Sequence, residues 1–577
     1  MTQTKNSEWV SAGSLEALRA EGRKVISAGG RTLLVVADGD EVFALDNRCP
    51  HMGFPLHRGT VENGILTCHW HHAKFDLRGG CTLDPFADDA PAFPVRVENG
   101  EVLVSPRPRP RDEVHHWRRK LQEGMEQDIR LVMAKSAIEM VRHEDTAEAI
   151  RRAAQFGVRN RNEGWSAGMS ILSALANVFP HLSGEDVARA LYHGVTRVAR
   201  FTANQPPDFD LQPLDTSETR ADRFLEWFRT FIETRSADAA ERVLRTATHA
   251  GHPADTVATL LYAAASDHLY LDEGHVLDFA NKAFELLDHI GWEHAEDVLP
   301  SLIQPLVTGT RMEETASWQH PVNLAALMQP VRAEIAEWMA AGGGKLANWD
   351  GHRELAEQLL DAEPEAMIGS LRDRLLEGVP AVELAGTVAY AAGRRVVHFH
   401  VSNEFDDWNT VHHTFTYANA VHMGMRRAPS AWLARAIFDG ALSIYLERFL
   451  NVPKQAIPKP SGASSKPADL LALFDRQGQV DETGQVVVDM LATRPRKEVL
   501  EILGHALLRE DSGFHQFQIY EASCAQAGVL RDPEMGNHMI LGMARFLSAH
   551  SPTVRSMDQT FKIAARLQRG ESLHEDA

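Results

Sequence analysis

Four cysteines in 577 residues are too few for a disulfide framework. Two of them stand in a close pair of motifs; the others, Cys81 and Cys524, lie far apart in regions of different character. Long apolar runs are missing as well. None reaches the ~18 residues of a membrane span, and the opening MTQTKNSEWVSAGSL has no basic stretch followed by an apolar core. No membrane partner or leader is expected, and the reading is of a cytoplasmic protein. Positive charge is short: 59 Lys and Arg stand against 79 Asp and Glu, a formal net charge of −20. That balance excludes the electrostatic footprint of a nucleic-acid or anionic-membrane binder. The hydrophobic fraction is ordinary at 44%, so a sizeable core can form, and the length has room for two or more domains.

Against that background one constellation stands out: Cys49-Pro50-His51 and, after 16 intervening residues, Cys68-His69-Trp70-His71. Two thiolates and two imidazoles suit a [2Fe–2S] centre in which sulfur holds one iron and nitrogen the other. A structural zinc site competes, but there the two Cys and the two His fall in separate pairs. Here each pair is mixed, so each of two loops contributes one thiolate and one imidazole. With these motifs, residues 8–105 resemble a Rieske domain of the oxygenase or ferredoxin type. The resemblance implies Cys49 and Cys68 as thiolate ligands and His51 and His71 as imidazole ligands, with His69 and His72 outside the set. Respiratory Rieske proteins add a Cys to each cluster loop and place a Ser and a Tyr after the last ligand. This chain has neither loop Cys, and Ala73 and Phe75 occupy the hydroxyl positions. Hydrogen bonds to sulfur raise the potential, so a low-potential cluster is expected, toward the roughly −150 mV end of the Rieske range.

Around the motifs, short apolar runs (24–27, 32–36, 42–45, 94–97, 102–104) alternate with Gly29-Gly30, Asp38-Gly39, Asn63-Gly64, Gly79-Gly80 and Asn99-Gly100. That pattern predicts hairpins in a small antiparallel β domain, residues 1–105, with the cluster loops projecting from it. Residues 106–113, rich in alternating Pro and Arg, read as an extended spacer. From 114 to 577 apolar residues recur at three and four, as amphipathic helices require. Loops are expected at 206–213, 342–344 and 453–467, and a frayed tail at 571–577.

Within the helical region Thr259-Leu-Leu-Tyr262-Ala-Ala parallels Thr387-Val-Ala-Tyr390-Ala-Ala. Each is followed by acidic and His residues and then by His, three residues, an aromatic, Ala, Asn: His275 to Asn281 and His413 to Asn419. A third unit carries His505 and His515, and residues 148–194 resemble a diverged first copy with Asn177 but no His. The predicted fold class is therefore multidomain β plus α, a small antiparallel β Rieske domain followed by a large all-α domain of diverged helical repeats. Superposed copies would point His275, His413 and His515 at one place. Neutral imidazoles with carboxylates suit non-haem iron, one ion or two. The candidate ligands are His268, His275, His398, His400, Glu404, His412, His413, His505 and His515, and the candidate catalytic set is His268, His275, Glu404, His413 and His515. The plainer alternative is that any one of these 28 His caps a helix or bonds backbone. His412 and His413 lie about 100° apart on a helix, so one of them is expected to face the centre.

A Rieske cluster moves electrons and does no substrate chemistry, so its fusion to a large domain implies an acceptor there. In ring-hydroxylating oxygenases the acceptor is iron in a helix-grip α/β domain, and nothing after residue 113 has that pattern. The helical part instead resembles the questin-oxidase-like non-haem oxygenases in being His-rich and all-helical. The expected function is a Rieske-type oxidoreductase or oxygenase taking electrons from an NAD(P)H-dependent reductase or ferredoxin. It would pass them to non-haem iron for O₂-dependent oxidation of a small organic substrate. The alternative is a Rieske electron-transfer or redox-sensing module on a helical docking scaffold without a catalytic metal. A metal-dependent hydrolase is disfavoured, since hydrolysis needs no electrons. The sequence leaves oligomeric state and substrate identity open.

Overall fold

The chain begins with strands whose turns are the ones its Gly-containing dipeptides demand. The structure, a computed structural model, describes residues 9–161, 164–571 and 573; of the tail 571–577 expected to fray, only Glu571 and Leu573 are among them. β1 (Val10–Ser14), β2 (Arg23–Ala28), β3 (Arg31–Asp38), β4 (Glu41–Asp46), β5 (Thr60–Glu62), β6 (Ile65–Thr67), β7 (Lys74–Asp76), β8 (Ala92–Phe93), β9 (Val95–Glu98) and β10 (Glu101–Val104) form three antiparallel sheets. Their orders are β1-β10-β9, β2-β3-β4-β8 and β5-β6-β7. Asn63-Gly64 joins β5 to β6 and Asn99-Gly100 joins β9 to β10, all four residues at positive φ (54° and 78°, 51° and 82°). Both central residues of a type I′ turn require that hand, which only Gly and Asn take readily.

β3 runs between two cores. Leu34 and Val36 pack with Leu45, Leu66, Phe75 and both motif cysteines, while Leu33 and Val35 pack with Leu18, Phe93, Val102 and Val104. Side chains alternate across a strand, so a strand buried on both faces reads as a continuous apolar run, as 33–36 does.

Residues 105–112 carry neither helix nor strand and bend at Pro106 and Arg107. After the short α1 (Leu15–Glu21), which lies between β1 and β2, helices follow to the end of the described chain, beginning with α2 (Glu113–Glu126) and α3 (Arg130–Arg142). The chain separates into two compact units, residues 1–149 with 559–577, and residues 150–558. The division thus falls at Ala149–Ile150 rather than at the Pro/Arg stretch 106–113. The reason is polar as well as apolar. His116 and Lys120 of α2 bond Asp88 and the Ala87 carbonyl, and Lys135 of α3 donates to the Pro50 carbonyl, tying these helices to the β sheets.

Among its described residues the second unit has helices and no strands, with non-helical connections at 205–220 and 454–466. Three of its helices matter most: His275–Ile290, Phe405–Arg427 and Phe514–Val529, the middle one packed against both others. No helix of the described chain is long and apolar enough to cross a membrane.

Candidate metal centres

The β4–β5 and β6–β7 connections carry the two motifs. Cys49 and Cys68 are buried in the apolar core, and the His51 and His71 rings meet edge to face with centroids 4.8 Å apart. The two thiols share a hydrogen bond, which drives Cys49 upward and Cys68 down to about 6. Backbone N–H groups of His51 and Met52 reach the Cys49 sulfur, and those of Trp70 and His71 the Cys68 sulfur, each favouring thiolate. Burial, aided by the neighbouring His71, lowers His51 to about 4, and its Nδ1 is buried without a protein partner. A neutral imidazole with an unspent buried nitrogen is what a metal ligand needs. Sulfur thus pairs with sulfur and imidazole with imidazole. A tetrahedral zinc with bonds of about 2.0–2.3 Å would gather all four donors within roughly 3.8 Å of one another. Among the described residues, the only groups of three or more such donors lying mutually within 4.8 Å are His275/His413/His515 and Asp88/Asp89/His116. The four loop donors, sulfur beside sulfur and imidazole beside imidazole, therefore fit the two-iron cluster that a Rieske domain implies.

The first of those groups lies in the helical unit. His275 opens its helix, His413 lies in Phe405–Arg427, and His515 is the second residue of Phe514–Val529. His413 Nε2 and His515 Nε2 are 2.9 Å apart, close to the ~3.0 Å between two ligands set at right angles on one ion with bonds near 2.1 Å. His275 Nδ1 donates to the Asp272 carbonyl at 2.7 Å, and His413 Nδ1 lies 3.3 Å from Glu273 Oε2. Each bond fixes the tautomer that frees Nε2, the usual outer-shell partnership of a metal-bound imidazole. Burial and the adjacent His413 lower His515 to about 3, and burial likewise lowers His275, so both are neutral ligands at ordinary pH. The partners are held by a strained turn: Tyr270, Asp272 and Glu273 have φ of 46°, 53° and 55°, before Gly274 at 88°. Three non-glycine residues in the left-handed region cost about 1–3 kcal/mol each, a cost usually found where function needs it.

These observations decide the nature of the first site. Through residues 8–94 the chain belongs to the Rieske [2Fe-2S] domain family. The matched relatives include the anthranilate 1,2-dioxygenase ferredoxin subunit of Burkholderia cepacia, 29% identical over 106 residues, 18% of this chain and 98% of the relative. Another is the ferredoxin component of the alkene monooxygenase system of Xanthobacter autotrophicus, 33% identical over 89 residues, 15% of this chain and 73% of the relative. Among solved structures, the ferredoxin of carbazole 1,9a-dioxygenase from Nocardioides aromaticivorans is 30% identical, with a TM-score of 0.17 over 18% of this chain and all of that one. Each of these likenesses stops short of the helical unit. In the Rieske domain Ala73 and Phe75 are fully buried, so no hydroxyl from these positions reaches the cluster sulfurs. Lys135 of α3 is buried and donates to the Pro50 carbonyl, between Cys49 and His51; burial lowers it to about 8, with Asp88 and Cys49 opposing. The second group, Asp88/Asp89/His116, is already neutralised. His116 Nε2 lies 2.7 Å from Asp88, and Arg111 and Arg119 flank the two carboxylates.

The remaining candidates are not drawn to the triad. His268 is held by Glu313 at 2.8 Å and Glu233 at 2.9 Å. His398 gives Nδ1 to the Gln455 carbonyl and accepts from Arg394 at Nε2, and His400 bonds Ser402. His505 Nδ1 lies 3.0 Å from Asp186. Glu404 is the exposed N-cap of the Phe405–Arg427 helix, nine residues and so about 13 Å along the axis from His413. None of these histidines is among the donors that gather within 4.8 Å at the triad, a matter of tertiary position that residue type and spacing do not reveal. His412 departs differently from expectation. It is buried beside His515, ring centroids 5.1 Å apart, with both nitrogens lacking protein partners. Asp272 and Glu273 were legible in the sequence as acidic residues beside His275, but not that the Asp272 carbonyl and the Glu273 carboxylate would meet Nδ1 of His275 and of His413.

Proposed function

We propose that this chain is an oxidoreductase in which electrons from an NAD(P)H-dependent reductase or a ferredoxin enter at the Rieske cluster and are used at an iron held by His275, His413 and His515. There they support O₂-dependent oxidation of a small organic substrate. The observation that carries the reading is the meeting of three imidazoles with Nε2 unspent on outer-shell partners, two of them oriented through Nδ1 by Asp272 and Glu273. The names of the ferredoxin relatives support electron delivery to an oxygenating partner. Iron, when bound, would supply O₂ activation. The chain's own part is to hold His275 and His515 neutral by burial, orient His275 and His413 through Nδ1, and shelter a substrate. A cavity of about 370 Å³ walled by Phe405, Phe474, Phe514 and Leu547 reaches His515, within the size range of small-molecule sites. The equivalent positions of His275 and His413 in matching sequence units support a helical repeat as the device that brings them together.

Metal analysis tests this. The purified protein is expected to hold iron beyond the two atoms of the cluster. His275→Ala and His413→Ala should each lose the additional iron and keep the cluster's visible spectrum. Two iron atoms per chain with no other metal would return the histidines to a structural role.

A further inference from the structure

Beneath the three imidazoles, two facing helices carry charge where a core would be apolar. On one, His275, Asp278, Lys282, Glu285 and His289 recur at three and four; on the other, His515, Gln518 and Glu521 recur at three. Both spacings keep side chains on one face. The two faces are cross-linked: Gln518 Nε2 donates to Asp278 Oδ2 at 2.8 Å, and Lys282 Nζ lies 2.5 Å from Glu521 and 2.8 Å from Glu285. Asn177, from the helix Ala167–Val178, donates to both Glu285 and Glu521 and accepts from His289 Nε2 at 2.8 Å. Asp278, Lys282, Gln518 and Glu521 are at most 3% exposed, whereas Glu285 is partly exposed and His289 is on the surface.

Burying this many ionisable groups is costly unless they are paired, and even then an apolar filling is often as stable. Two oxygens, Asp278 Oδ1 and Gln518 Oε1, are buried with no protein partner, so the stripe is not a closed structural ion network. It runs about 21 Å along the helix axis from His275 to His289 at 1.5 Å per residue.

We propose that this stripe is the proton route from solvent to the three-imidazole site. Glu285 exchanges with water, Glu521 and Asp278 hand the proton inward, and Lys282, Gln518 and Asn177 hold the carboxylates in line. The need for it rests on the function proposed above. Insertion of one oxygen atom of O₂ into a substrate takes two electrons, supplied through the cluster, and two protons, and releases one water. Burial raises Asp278 to about 7 and also raises Glu521, with Lys282 opposing both. The charged groups facing Asp278 are Lys282 and Glu285 from its own helix and Glu521 across from it. A carboxyl near neutrality can both take and give a proton at working pH.

The test uses the full-length protein with cluster and metal. Asp278→Asn should keep both metal complements yet slow reoxidation of the chemically reduced protein by O₂ at least about tenfold in stopped flow. It should also abolish the pH dependence near 7 and raise the solvent deuterium effect, and Asp278→Glu should restore the rate. Independently of turnover, infrared difference spectra between about pH 6 and pH 8, across the raised carboxyl value, should show a carboxyl band in the metal-free His413→Ala protein that is missing when Asp278→Asn is added. Absence of any non-cluster metal from the wild type overturns the proposed function and the route together. Metal present with equal rates in wild type and Asp278→Asn overturns the route alone, as does an unchanged infrared difference.

Discussion

Lys135 shows how much one side chain can alter a redox centre that its own domain defines. A buried ammonium bonded to the carbonyl between Cys49 and His51 favours the more negative, reduced cluster. At an effective dielectric near 20 and a separation on the order of 10 Å, that is worth about 1–2 kcal/mol. Lys135→Met is therefore expected to lower the cluster's reduction potential in a redox titration at pH 7, while Lys135→Arg keeps it near the wild-type value; equal potentials for Met and wild type would contradict this. The lysine offsets in part the low potential implied by Ala73 and Phe75. Glu404 makes the opposite point. Exposed at a helix start and about 13 Å along the axis from His413, it should give an Ala variant with unchanged metal content.

At the scale of elements, the turn Tyr270–Gly274 governs the triad. Gly274 has φ 88°, and a Cβ there would come within 2.9 Å of the Tyr270 and Tyr417 rings. Gly274→Ala should cost about 2–3 kcal/mol of stability, measured by urea unfolding, and, on the function proposed above, release the iron held by the triad before the cluster. The turn is anchored by a relay in which the Tyr270 hydroxyl meets Thr414 at 3.3 Å and Thr414 donates to Glu447. Burial raises Glu447 to about 8, with the Thr414 bond and Arg395 opposing, against about 4.3 unfolded. The folded state therefore binds a proton that the unfolded chain has released. Stability is fully present below pH ~4.3 and falls as pH rises through about 8, by at most about 1.4 kcal/mol per unit. Asp278 and Asp439, each raised to about 7 chiefly by burial, act in the same direction. The urea midpoint should fall between about pH 6 and 8, and less steeply in Glu447→Gln; parallel slopes would remove Glu447 from the account.

At the scale of the molecule, the cluster-bearing unit is completed by residues far away in sequence. Residues 559–577 belong to it, and buried Phe561, Ala564 and Leu567 lie in that segment. Leu567 to Gly570 line a cavity of about 1140 Å³ together with Arg48, Cys49 and Lys135. A chain ending at Asp558 should lose cluster absorbance faster under a chelator than the full chain, with the helical unit's circular dichroism largely kept. Identical decay would show that the segment does not protect the cluster.

Local chemistry carries far in this sequence. The Rieske domain with its C-x-H and C-x-x-H loops, the β hairpins with their Asn-Gly turns and the change to helix near residue 113 were legible because each depends on residue type and near spacing. The meeting of His275, His413 and His515 was legible only as an expectation from matching sequence units, and tertiary structure decided which histidines come within 4.8 Å of one another. His268, His398, His400 and His505 resemble the triad in sequence but are held elsewhere, by Glu313, Gln455, Ser402 and Asp186. The role of Lys135, the opposed stripes of Asp278 and Glu521, and the return of residues 559–577 to the Rieske unit involve contacts between distant parts of the chain. Burial and pairing across such distances are set by packing, which no local pattern encodes.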